Sequence, residues 1–177
     1  MIVNTPQQTF RAALGQFFVK ETSTENLAAA RSLIERSETA GADLLVLPEC
    51  IIARKLGMPE WGQKQAEPLD GPFVSGLREA TRGRRVTVVC TVQAKIANES
   101  RYANDLLVIQ NGELRLTYQK IHLYDAFRGK ESSYAAPGDV LPQVLQIGPF
   151  KVGFLRLGTT FKAKSGFYNP NPKNVVR

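Results

Sequence analysis

The stretch that most restricts how this chain can fold is "NDLLVIQNGELRLTYQK", residues 104–120. Two β-rich runs are separated only by Asn111-Gly112. A two-residue hairpin turn needs positive φ at both central positions, which Asn and Gly adopt at least cost. The runs are therefore expected to be adjacent antiparallel strands. Upstream, residues 10–18 read as a strand, and Thr22 and Glu25 have capping-box spacing at the head of a helix. In that helix Leu27, Ala30, Leu33 and Ile34 recur at helical spacing until Gly41. "DLLVLPE" is short and almost wholly apolar, the pattern of a strand buried on both faces, with Pro48 stopping its ladder. A helix over 73–82, a β-branched strand in "RRVTVVCTVQAKI" and two short strands about Gly148-Pro149 follow. Strand, helix and strand before a hairpin predict an α/β chain with a mixed sheet and helix layered on sheet.

The 177 residues suit one domain with a sizeable core. With 43% hydrophobic and 22% charged residues the chain is an ordinary soluble type, and no apolar run nears the roughly 20 residues of a membrane helix. "MIVNTPQQTFR" carries no export pattern, which favours the cytoplasm. The net charge of +7 is uneven: residues 1–155 hold 18 basic against 16 acidic residues, and 156–177 hold five basic residues and no acid. Without an aromatic-interleaved basic face or a recognised nucleic-acid motif, this basic tail does not make a nucleic-acid binder. Cys50 and Cys90 are too few for a disulfide scaffold and lack zinc-site spacing, so free thiols are expected and no metal is implied.

Several side chains could carry chemistry. Strand alternation puts Leu45, Leu47 and Glu49 on one face and Leu44, Val46 and Cys50 on the other, so a carboxylate ends an apolar row and Cys50 points away from it. Leu114, Leu116, Tyr118 and Lys120 form a similar row ending in a cation. A solvent-reaching Glu and a snorkelling Lys are the plain alternatives, and only their meeting in space makes a site. His122 has no partner ligands and reads as structural rather than catalytic. Cys90 shares a face with Val86, Val88 and Val92 and reads as a small core hydrophobe.

"LLVLPE", the segment "DGPFVSGLREATRGRRVTVVCTV", "TYQKIHLYDAF", the following "ES" and "KVGF", in this order, resemble the nitrilase superfamily of carbon-nitrogen hydrolases, over residues 10–154. "KIHLYDAF" is similar to the branch of deaminated glutathione amidases. The resemblance implies a helix-sheet-sheet-helix sandwich with mixed sheets, present here as its N-terminal part (1–155), followed by a divergent tail (156–177). It also implies a Glu-Lys-Cys set that cleaves amides or nitriles through a thioester, without cofactor or metal. By position Glu49 matches the general base, Lys120 the lysine that stabilises the tetrahedral intermediate, and Glu131 the additional glutamate. A thiol needs a base to take its proton, and a cation stabilises the oxyanion that forms.

The departure lies after Phe154. The family's Cys-Tyr-Asp elbow should follow "KVG", and the nucleophile's position is held by Leu157. A reading-frame change after Phe154, a native inactive relative kept for binding, and transfer of the nucleophile to Thr159 or Thr160 are the three accounts of the tail. The first agrees best with a pattern that matches the fold before that point and conflicts after it. The expectation is a pseudoenzyme of amidase lineage. Its binding partner would be a small-molecule amide, not nucleic acid or membrane. Unpaired sheet edges and an uncovered apolar sheet face would make it a homo-oligomer or an aggregation-prone fragment.

Overall fold

The computed structural model describes residues 9–126, 129–157 and 160–162. Its centre is a mixed sheet in the order β1 (Ala12–Leu14), β2 (Leu44–Val46), β3 (Thr87–Lys95), β4 (Tyr102–Gln110) and β5 (Glu113–Gln119), with β6 (Ala135–Ala136) added to the start of β4. The first three strands are parallel, whereas β3–β4 and β4–β5 are antiparallel and β6 runs parallel to β4. The turn between β4 and β5 has Asn111 at φ 49° and Gly112 at φ 79°, as the two-residue loop requires. Asn111 Oδ1 also accepts from Gly83 N at 2.7 Å, tying the turn to the end of a helix.

Helices α1 (Ser23–Thr39) and α3 (Pro72–Thr81) pack together on one sheet face, and α2 (Trp61–Lys64) is a single turn. Ala30, Ile34, Phe73, Val74 and Leu77 bury against Leu45, Val88, Cys90, Leu107 and Ile109, with Cys90 in the core role its strand pattern gave it. The capping box forms differently from its spacing: Thr22 Oγ1 donates to Glu25 Oε2 at 2.6 Å, so the two side chains bond to each other and not to the helix backbone. The strand expected over 10–18 shortens to β1, because Gly15 leads the chain away after donating to Val46 O.

The other sheet face does not stay bare. The β7–β8 hairpin (Val144–Ile147 and Phe150–Gly153), turning at Gly148 with φ 55°, brings Ile147 and Val152, and Phe154 follows. They cover Leu44, Val46, Val89, Leu106, Val108, Leu116 and Tyr118, all buried. The expected uncovered face is thus corrected, since a local hairpin supplies the apolar residues that close it. The open edge remains: among the described residues β1 pairs only with β2, and Leu14 and Phe18 are 78% and 73% exposed. No helix of the described residues is long and apolar enough to cross a membrane.

Strand β4 also buries a carboxylate. Asp105 is 6% exposed, and its Oδ1 has no hydrogen-bond partner among the described residues. Burial raises its pKa from 3.8 to about 6. A raised folded pKa means that the protonated form favours folding, so stability present below the unfolded value is lost as pH rises through about 6. The unfolding free energy is expected to fall by about 2 kcal/mol between pH 4 and pH 7 from this group. Asp105→Asn should remove that slope and stabilise the protein at pH 7.5, as urea titrations across the range would read.

Candidate functional site

Two strand ends and two loops meet at the edge of the face lined by Leu106 and Val108. Lys120 follows β5, on the side of Leu116 and Tyr118, and is 1% exposed. Its row is shorter than its spacing implies, because an irregularity in register between Val108 and Ile109 sends Leu114 to the helix side, opposite Ile109. Lys120 N donates to Asn104 O at 2.9 Å, and its own carbonyl accepts from Gly138 N at 2.9 Å. The backbone at the lysine is held on both sides.

Glu131 lies on a 3₁₀ turn, 6% exposed. Lys120 Nζ donates to its Oε2 at 2.6 Å, Tyr124 N to the same oxygen at 2.7 Å, and Asn104 Nδ2 to Oε1 at 3.0 Å. The same Asn104 nitrogen donates to Glu49 Oε1 at 3.3 Å. One buried amide therefore joins the two carboxylates, one of which holds the lysine. Glu49, Lys120 and Glu131, singled out separately in the sequence, stand in one cluster. Lys120 and Glu131, the two buried members, persist as ions only because each finds partners of this kind, whereas Glu49 is half-buried.

Two expectations from strand alternation fail here. Pro48 ends the ladder and Cys50 takes φ 53°, so the chain turns after Leu47. Glu49 meets Asn104, whose β4 row is that of Leu106 and Val108 and not the Leu45–Leu47 row. Cys50, expected to point away, lines a cavity of about 340 Å³ together with Glu49, Arg54, Tyr102, Glu131 and Tyr134. Burial chiefly pushes the Cys50 thiol up to about 12, and the Glu131 charge adds to this, while Lys120 and the hydrogen bond from Tyr102 oppose it. Tyr102 is held above its ordinary value, first by burial. At neutral pH Cys50 is thus a thiol and a poor nucleophile.

His122 is exposed and lies outside the cavity lining. Leu157 stands in β9 (Leu155–Leu157), paired with Thr160 of β10 (Thr160–Lys162), and Thr159 falls outside the described residues. Among the described residues no group of His, Cys, Asp and Glu could hold a metal. The sequence reading missed Asn104 and the inward turn of Cys50. For Asn104 the signal was a polar amide inside an apolar strand, which must find a partner when buried. For Cys50 no local signal marks a positive φ at a non-glycine residue.

The carbon-nitrogen hydrolase family matches residues 11–165, a span that runs past Phe154 and includes Leu157. The chain belongs to the carbon-nitrogen hydrolase family. It is 31% identical over 143 residues to the deaminated glutathione amidase of Escherichia coli O157:H7, covering 81% of this chain and 54% of that protein. Against the omega-amidase NIT2 of Xenopus tropicalis it is 28% identical over 137 residues, covering 73% and 48%. The fold matches a cysteine-to-serine mutant of the Nesterenkonia AN1 amidase from the nitrilase superfamily with a TM-score of 0.69, at 25% identity, over 80% of this chain and 54% of that one. This carbon-nitrogen hydrolase chain thus spans about half the length of the curated relatives it matches. Its α/β architecture with a mixed sheet is that of the nitrilase superfamily.

Proposed function

We propose that this chain carries the base, lysine and second-glutamate portion of an amidase site for a small carboxamide such as an omega-amide. In this reading Glu49 is the base, the Lys120 ammonium stabilises the oxyanion formed when a nucleophile adds to the amide carbon, and Glu131 fixes the lysine. The observation that carries it is the chain of contacts that runs from the buried Lys120 through Glu131 and Asn104 out to the half-buried Glu49. Groups used this way must be preorganised, since donors that need not reorient give most electrostatic stabilisation. The nucleophile is the missing part. Leu157 holds its position and has no atom that can attack, and the neutral, half-buried Cys50 thiol does not replace it. The chain therefore binds an amide and does not hydrolyse it.

Butyramide should then perturb the side-chain amide resonances of Asn104 in an NMR titration of the 177-residue protein, and Glu49→Gln should alter that response. Unmoved site resonances at tens of millimolar butyramide would sink the proposal. A second reading, a non-catalytic module associating with an intact relative, is supported by the open edge of β1 and the exposed Leu14 and Phe18. It predicts a defined hetero-oligomer on co-expression with such a relative.

A further inference from the structure

A second cavity, of about 470 Å³, lies along β5, the outer strand of the sheet, and shares no lining residue with the one beside Glu49. Asp105 lines it. Asn104 faces the cluster already described, so strand alternation turns its neighbour Asp105 to the other sheet face, the face of Ala103 and Leu107. Gln119 stands opposite Asp105 on β5 and Thr117 stands opposite Leu107, and paired residues share a face. Three side chains that accept hydrogen bonds are thereby set together along one wall.

The far wall is the segment 139–143, and it is tied in place. Gly138 N donates to Lys120 O at 2.9 Å, and Gln119 Nε2 donates to Ala136 O at 3.0 Å, which leaves the Gln119 amide oxygen to accept. The other end runs into β7 at Val144. Between these ties Val140 and Leu141 line the cavity while 72% and 74% exposed, so apolar surface stands at its mouth.

Asp105 is the group in need of a partner. It is buried, its Oδ1 accepts no hydrogen bond among the described residues, and burial alone raises its pKa, with no charged neighbour contributing. Arg115, the basic residue of the lining, is turned to the hairpin end, where it donates to Gln110 Oε1 at 3.1 Å. An unpaired buried carboxylate costs stability, a cost that a ligand received at the site would explain.

We propose that this cavity is a separate binding site for a small primary amine, held as its ammonium by Asp105, Thr117 and Gln119 with its alkyl stem against Val140 and Leu141. An ammonium has three N–H donors for those three acceptors, and its charge is the complement that Asp105 lacks. The volume is in the range of small-molecule sites. The acids of the lining are Asp105 and the exposed Asp139, and among the described residues no group of three His, Cys, Asp or Glu could hold a metal ion. The chemistry therefore points to an organic cation.

The test titrates the full chain with n-butylammonium chloride and with 1-butanol at pH 7.5 and constant ionic strength, following the methyl resonances of Thr117, Val140 and Leu141 by NMR. Butylammonium is expected to half-saturate at a concentration about tenfold lower than butanol, the size of one charge-assisted hydrogen bond. In Asp105→Asn that preference should vanish. Since this variant is expected to be more stable than wild type at this pH, loss of fold does not account for the loss of binding. Equal responses to the two ligands in wild type, or a preference that survives Asp105→Asn, overturns the site. Displacement of butylammonium by an equal concentration of calcium chloride overturns the assignment to an organic cation. Tighter binding of Nα-acetyllysine N-methylamide than of butylammonium overturns the assignment to a free amine, in favour of a lysine on another protein.

Discussion

Lys120→Met is expected to lower the unfolding free energy by about 3–5 kcal/mol at pH 7.5. The side chain lost is 1% exposed, and its Nζ is 2.6 Å from a carboxylate that is itself buried. Methionine fills most of the volume, so the cost is mainly electrostatic: Glu131 is left charged in a dry site, with Tyr124 N and Asn104 Nδ2 its remaining donors among the described residues. A loss of this size takes a large part of the 5–15 kcal/mol that holds a domain together. The companion variant separates charge from packing. In Lys120→Met/Glu131→Leu no buried charge remains, and most of the stability should return, because replacing both members of a buried pair by apolar groups is often neutral. Urea denaturation of the three proteins reads both effects. A single variant within about 1 kcal/mol of wild type would mean that the pair is not buried as described.

Asn104→Asp should produce the second large loss, about 3–4 kcal/mol at pH 7.5, by a different route. The amide nitrogen donates to Glu49 and Glu131 at once, and an aspartate there replaces two donated hydrogen bonds with a third negative charge beside two others. Lys120, paired with Glu131, offsets part of that charge. The crowded carboxylates share protons, so at least one folded-state pKa rises above its unfolded value. Such a group gives stability below the unfolded pKa and loses it as pH rises through the folded one. The deficit should therefore shrink by roughly half when pH is lowered from 7.5 to 5, whereas a purely steric defect would be indifferent to pH. Thermal melts at the two pH values distinguish them.

Much of this fold was legible because its strongest signals are local. Asn111-Gly112 specified the hairpin and, with it, the placement of Lys120 at the end of β5. The helix stripe of Ala30 and Ile34 and the two-sided burial of Leu44–Val46 likewise followed from periodicity. The failures came where the backbone leaves its regular period. Alternation held through Leu47 and failed at Glu49 and Cys50, because a proline and a positive φ intervene. It failed again at Leu114, where the register shifts. Asn104 was overlooked for another reason. Its partners are 55 and 27 residues away in sequence, and no spacing rule reveals a contact made by tertiary folding.

The family likeness supplied what periodicity could not, namely that Glu49, Lys120 and Glu131 belong together. Their convergence around Asn104 gives that grouping a physical content: a lysine neutralised by one carboxylate and a second carboxylate tethered through a shared amide. A complete cycle of amide hydrolysis further needs an atom that attacks the carbonyl carbon and later leaves it. Thr160 pairs with Leu157 at the edge of a separate two-stranded element, and Cys50 is held as a neutral thiol.

Ammonia release is the measurement that tests this most directly. The purified 177-residue protein is incubated with succinamate and butyramide, and ammonia is measured against Glu49→Gln as the control. The account predicts release no faster than the control with either amide, even at concentrations that saturate binding. Turnover that exceeds the control and disappears with Glu49→Gln would contradict it, and would show that the chain carries a working nucleophile.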